Sequence, residues 1–237
     1  MQYLWEQFNI KTFAAFTAVF VDGKFQPDLS EQSQKSKVKK IKDGHEITIT
    51  GGDKFPVHII YIGKIAGKNN LNIIIDGGDK NQAAHLTAKI TNEKPAFLNV
   101  FIKNTGKNTK FFGKIIAENK SSLNIDVFTG LLAEKAGISV QTKVIAHSKS
   151  ETKLSGVAEI AKNADGAESD LTFAALCAPD IKGIYFTPAQ RISAVPKSAS
   201  HAASIWKGTS AQIEYLRESG LGGREVDEVL KEAFENE

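Results

Sequence analysis

From about residue 45 to 195 the chain alternates short apolar runs with turn residues, a pattern that predicts strands punctuated by turns. Ile47 to Ile49 is closed by Gly51-Gly52, Val57 to Ile62 by Gly63, and Leu71 to Ile75 by Asp76-Gly77-Gly78. His85 to Ile90, Phe97 to Ile102, Phe111 to Ile116 and Leu123 to Phe128 follow, then Ile138 to Ile145, Leu154 to Ile160, Leu171 to Leu176 and Ile181 to Phe186. Leu86, Ala88 and Ile90 face one way while Thr87, Lys89 and Thr91 face the other, so one face of such a strand is buried. Strands recurring at roughly ten to fourteen residues suit a sandwich, a barrel or a β-solenoid equally well. Leu131 to Ala136 interrupts the regime, as a helical turn ended by Gly137 or as a loop.

The two ends of the chain follow other rules. Residues 1 to 21 carry Tyr3, Leu4, Trp5, Phe8, Phe13, Phe16, Val19, Phe20 and Val21, which predicts a short helix or extended arm followed by a strand. Asp22-Gly23 is a turn signal between Phe20-Val21 and Lys24-Phe25, and Pro27 with the polar run Ser30 to Ser36 reads as a linker. At the other end the period becomes helical. Ser210 caps a helix carrying Ile213, Leu216 and Arg217, with Gly220 as its stop. After Gly222-Gly223, the residues Val226, Val229, Leu230, Ala233 and Phe234 form a narrow apolar stripe, with Glu225, Asp227, Glu228, Lys231 and Glu232 mostly opposite. An α-helical hairpin follows, and a stripe on a terminal helix ordinarily docks on its own domain.

A chain of 237 residues has room for one main domain with small terminal additions, and 41% hydrophobic with 24% charged residues is the composition of a folded protein. No apolar run reaches the roughly eighteen residues of a membrane span, and Met1 to Glu6 lacks a basic start followed by an apolar stretch, so a cytoplasmic location is expected. Cys177 is the only cysteine, which excludes an intrachain disulfide and a four-thiolate iron-sulfur site within one chain. Set in the apolar strand end Phe173 to Pro179, it reads as a buried, inert thiol.

Charge adds little. The net charge is +3, and the densest basic run, Lys35, Lys37, Lys39, Lys40 and Lys42, has no interleaved aromatics, so it reads as a solvated linker or strand edge with no nucleic-acid partner. Gly63 to Asn69 fails the phosphate-loop pattern in glycine spacing and at Asn69, and reads as a β-turn. The histidines at 45, 58, 85, 147 and 201 lack zinc-site spacing, and His45, His58 and His85 read as structural or surface residues. Asp76 and Asp79 flank a turn, and no Ser, His and acid grouping stands out, so no catalytic residues are assigned.

Pro188-Ala189-Gln190-Arg191-Ile192, followed by His201 in Ser200-His201-Ala202-Ala203-Ser204-Ile205, resembles the carboxy-terminal signature of the SufB/SufD iron-sulfur cluster assembly family. Gln212 to Leu221 resembles the helix that follows in that family, and Ala233-Phe234 its closing pair. Val19 to Ser30 and Val144-Ile145-Ala146-His147, with Gly156-Val157, are similar to further family segments. Ala199 stands where the family usually has cysteine, Ala202 where SufB-like members carry glutamate, and Glu218-Ser219-Gly220 replaces a Ser-Arg-Gly stretch.

The resemblance implies a mainly β fold, a right-handed parallel β-helix with a short amino-terminal segment and a carboxy-terminal helical hairpin. Its implied divisions are 1–36 for the arm and first strand, 37–200 for the β-helix, and 201–237 for an ATPase-docking segment. It implies a non-catalytic scaffold of a SUF-type complex, pairing as a homodimer or a SufB/SufD-like heterodimer. A SufC-type ABC ATPase would dock through Ile213, Tyr215, Leu216, Val226, Val229, Leu230 and Phe234. His201 falls on a histidine implicated in cluster assembly and is the candidate metal ligand for a transient iron-sulfur cluster shared with another chain. No tightly bound cofactor is expected. The competing expectations are a β-solenoid carbohydrate-active enzyme and a structural adaptor without cluster chemistry.

Overall fold

The computed structural model describes residues 16–29, 36–50, 57–77 and 83–236. The aromatic arm before Phe16, most of the polar linker, Gly51-Gly52, Gly78 and Asp79 lie outside the described residues. The early strands are β1 (Phe16–Val21), β2 (Lys24–Phe25), β3 (Lys37–Ile41), β4 (Gly44–Thr50), β5 (Val57–Lys64), β6 (Gly67–Asp76), β7 (Ala83–Asn92) and β8 (Ala96–Asn104). Then come β9 (Lys110–Asn119), β10 (Ser122–Leu131), β11 (Gly137–Ala146), β12 (Glu151–Ile160), β13 (Glu168–Cys177), β14 (Gly183–Ile192) and β15 (Ser198–Trp206). Helices α1 (Ser210–Glu218) and α2 (Gly223–Asn236) close the chain.

From β4 onward, successive strands alternate between two sheets. One has the order β15-β13-β11-β9-β7-β5-β1-β2 and the other β14-β12-β10-β8-β6-β4-β3. Apart from the antiparallel pairs β1 with β2 and β3 with β4, every pairing is parallel. The architecture is therefore a β-solenoid of about five turns, each turn giving one strand to each sheet. Of the three architectures that strand spacing allowed, only the solenoid pairs every second strand.

Stacking aligns equivalent residues into columns. Val57, Ala84, Phe111 and Ile138 share a column with a step of 27 residues, and Ser169 and Ala199 extend it with steps of 31 and 30. Leu86, Ala88 and Ile90 point inward and are buried, as their alternation predicts. Phe20, Ile47, Ile73, Phe111, Leu123 and Phe173 belong to the same continuous core between the sheets. Burying such a side chain contributes about 1.5–3 kcal/mol, which is what holds the two sheets together. Gly156 follows from this packing, because a Cβ there would lie 2.5 Å from Leu171 and 2.8 Å from Phe173.

Corners are held by buried asparagines at strand ends, a device the apolar pattern does not reveal. Asn119 donates through Nδ2 to the carbonyl of Glu151 (2.7 Å) and to Thr152 Oγ1 (2.8 Å), and its Oδ1 accepts from the Ser121 amide (3.0 Å). One side chain thus fixes its own turn and ties it to the next coil. Asn92 bridges to Lys94 and Ser122, and Asn104 to Thr109 and Gly137, in the same manner.

Several local expectations are met. Asp22-Gly23 makes the β1–β2 hairpin turn with both φ values positive, Gly63 to Asn69 includes the turn between β5 and β6, and Leu131 to Ala136 is the end of β10 plus a loop. The basic run contributes the edge strand β3, with Lys37, Lys39 and Lys40 exposed. The last strand continues through Trp206 before the helices begin.

His58 and His85 stack on adjacent coils (ring centroids 5.1 Å apart, 14° between planes), and His85 stacks on Phe112 at 5.4 Å. Burial pushes both imidazoles below the ordinary 6.5, and for His58 the neighbouring His85 adds to it. The unfolded chain therefore takes up protons first. Their contribution to stability is complete above pH 6.5 and is lost as pH falls from there through the lower folded values. Melting curves should show the native chain losing stability as pH falls below about 6.5, and His58→Phe with His85→Phe should lessen that loss. Asn119→Ala, measured by urea unfolding, should cost about 1–3 kcal/mol, because it leaves buried partners unsatisfied.

Candidate functional site

The terminal coil differs from those before it. His201 pairs with Leu171 and occupies the inward-facing column filled by Ile59, Leu86, Val140 and Leu171 in earlier coils. Among the described residues nothing pairs with β15 on its far side, and the imidazole is exposed. Ile205 ends the column of Ile90, Ala117, Val144 and Ala175, and Ile192 that of Leu131 and Ile160. They are 55% and 45% exposed. The solenoid thus ends as a cross-section of its own core, flanked by two strand edges whose backbone groups lack a partner strand.

The other sequence-chosen residues divide into two groups. Val226 and Phe234 are buried within the chain, so they hold α2 in place and are not available to a second protein. Phe234 lies among Ile116, Ile145, Ala174 and Leu176 on the outer face of the odd-strand sheet, with Trp206 edge-on at 6.0 Å. Tyr215 and Val229 are exposed, and Ile213, Leu216 and Leu230 are half-buried. Within the hairpin Leu230 and Ile213 crowd Gly208, where a Cβ would lie 2.8 Å from Leu230. Thr209 caps α1 by accepting from the Gln212 amide, in a reciprocal capping box one residue before the Ser210 predicted for that role.

Cys177 is buried beside Ala146 and Ala175, and burial pushes its thiol above the ordinary value, with Lys207 opposing. Burial and the raised pKa both disfavour the thiolate, which is the reactive form. His147 stands 3.7 Å from Glu118, which also meets Lys231 of α2. Burial alone would raise the Glu118 carboxyl, but the bond to Lys231 and the charges of Lys231, His147 and Lys120 hold it below the ordinary carboxylate value. Among the described residues no three His, Cys, Asp or Glu side chains converge on a point.

Ile192, Ile205, Trp206, Tyr185 and Val195 are exposed features of this region that were not singled out from sequence. The usable signal was the absence of Asp, Glu, Lys and Arg from Ser198 to Trp206, together with its two large apolar residues at the end.

The described residues thus form a parallel β-solenoid with an open terminal coil and a carboxy-terminal helical hairpin. The family follows from residues 79–234, which match the model described as SUF system FeS cluster assembly, SufBD core domain. The chain belongs to the SufB/SufD family. No curated protein matches it. Among the described residues no helix is long and apolar enough to cross a membrane.

Alkylation of the native chain by iodoacetamide at about pH 8 should leave Cys177 largely unmodified, with full reaction only after denaturation. Rapid modification of the folded protein would contradict a buried, proton-holding thiol.

Proposed function

We propose that this chain is a non-catalytic scaffold subunit on which a SUF-type complex assembles iron-sulfur clusters, pairing with a second SufB/SufD-type chain through its terminal coil. The observation that carries this reading is the exposed core cross-section at His201, Ile205 and Ile192, beside an edge strand with no charged residue. Such an end is stabilised when a second solenoid, identical or related, continues the sheets or covers the core. The cluster is cargo in this reading. His201, exposed on the paired end, contributes one neutral imidazole ligand, and the partner chain contributes thiolates that this chain lacks.

The helical hairpin docks a SufC-type ABC ATPase in the same proposal. Support comes from α1, which has no buried residue, and from exposed Tyr215 and Val229, with Ile213, Leu216 and Leu230 beneath them. Val226 and Phe234 belong to the internal contact. ATP hydrolysis is the partner's work, and its cycle bears on the scaffold only as far as the two nucleotide states contact the hairpin differently.

Co-expression with a SufC-type ATPase should give a complex, and Tyr215→Ala with Val229→Glu should weaken co-purification about tenfold or more. Ile205→Lys should shift the sedimentation of the paired species toward a single chain and lower the melting temperature only as far as the lost pairing had raised it. Anaerobic reconstitution of the pair with iron and sulfide should yield less bound iron for His201→Ala than for the native chain. Equal iron content would make the protein an adaptor without cluster chemistry, and absence of any complex would remove the ATPase assignment.

A further inference from the structure

Helix α2 is anchored to the solenoid at its last turn, where carbonyl groups lack helical partners and the helix dipole is negative. Strands β7, β9 and β11, on three successive coils, aim a lysine each at that turn. Lys143 Nζ donates to the Phe234 carbonyl at 2.6 Å, and Lys114 Nζ donates to the Glu235 carbonyl at 2.8 Å. Lys89 Nζ pairs with the Glu235 carboxylate at 3.0 Å. In return Lys231 of α2 pairs with Glu118 of β9. The apolar part is small: Phe234 sits on Ile116, Ile145 and Ala174, with the Lys143 ammonium 5.2 Å from its ring centroid.

This cluster is separate from the continuous core between the sheets, which contains no residue of α2. The solenoid core is complete without the hairpin. A contact built from two buried α2 side chains, Val226 and Phe234, with Trp206 edge-on to the ring, and several lysine bonds is small beside the stacked coils, so it opens at a lower free energy, and salt weakens its ionic part.

We propose that the last turn of α2 is a latch: the hairpin has a docked state and a released state, and it opens as a unit while the solenoid stays folded. Release frees Phe234 and uncovers an apolar patch of Ile116, Ile145 and Ala174 bordered by Lys89, Lys114 and Lys143. It also uncouples any protein held by the hairpin from the rod. The latch is a property of this chain alone and stands whether or not an ATPase docks there.

Hydrogen exchange of the full chain, read by mass spectrometry, tests it. Amides of residues 223–236 should exchange together, faster than those of β9, β11 and β13. Raising salt from about 50 mM to about 500 mM should speed α2 exchange about threefold and leave the strands unchanged. Lys143→Met should speed it about tenfold, with Glu118→Gln acting in the same direction. Should Lys143→Met also loosen β11, the salt series on the native chain and Glu118→Gln decide the matter. Protection of α2 equal to that of β11, or α2 exchange indifferent to salt and to Glu118→Gln, would overturn the latch.

Discussion

From β4 onward each coil of this protein satisfies the backbone of its strands through the coils before and after it, and that constraint governs the rest of the structure. In a parallel ladder the N–H and C=O groups point along the solenoid axis, so the ladder bonds of a strand always reach to a neighbouring coil. Columns of inward side chains and corner asparagines such as Asn119 keep the coils in register, since a one-residue slip would turn Ile and Leu outward. A stack of this kind is internally repetitive and stiff. Its exceptional places are its ends.

The two ends are treated differently. At the first, short antiparallel strands β2 and β3 lie on the sheet edges, and the exposed lysines of β3 discourage further pairing. At the other, β14 and β15 are full-length edges, β15 carries no charge, and inward columns end in Ile192, His201 and Ile205. Pro188 on β14 fits an edge strand, where a missing N–H costs least. Among the described residues the first end thus carries short edges, one of them lysine-bearing, whereas the last carries full-length ones.

The hairpin lies outside this repeat. Its internal packing centres on Leu230, Ile213 and Gly208, and its attachment to the solenoid relies on lysines that meet the carbonyl end of α2. The apolar stripe seen in the sequence therefore serves two purposes: Val226 and Phe234 are used within the chain, whereas Val229, like Tyr215 of α1, is exposed. A helical stripe shows which residues share a face, and only the neighbouring surface shows how much of that face is used.

Local pattern alone determined the strands, the β1–β2 turn, the helical hairpin, the inert setting of Cys177 and, through the run from Pro188 to Leu221, the family. These are legible because alternation, turn chemistry and helix capping act over a few residues. Periodicity alone left the choice among sandwich, barrel and solenoid open, since coil steps vary from 26 to 32 residues between β4 and β14 and carry no repeated motif; the family resemblance implied the solenoid, and the pairing of alternate strands shows it. The corner asparagines, the lysines aimed at α2 and the exposure of His201 were likewise decided there, because each depends on residues brought together from different coils or on the coil that does not follow.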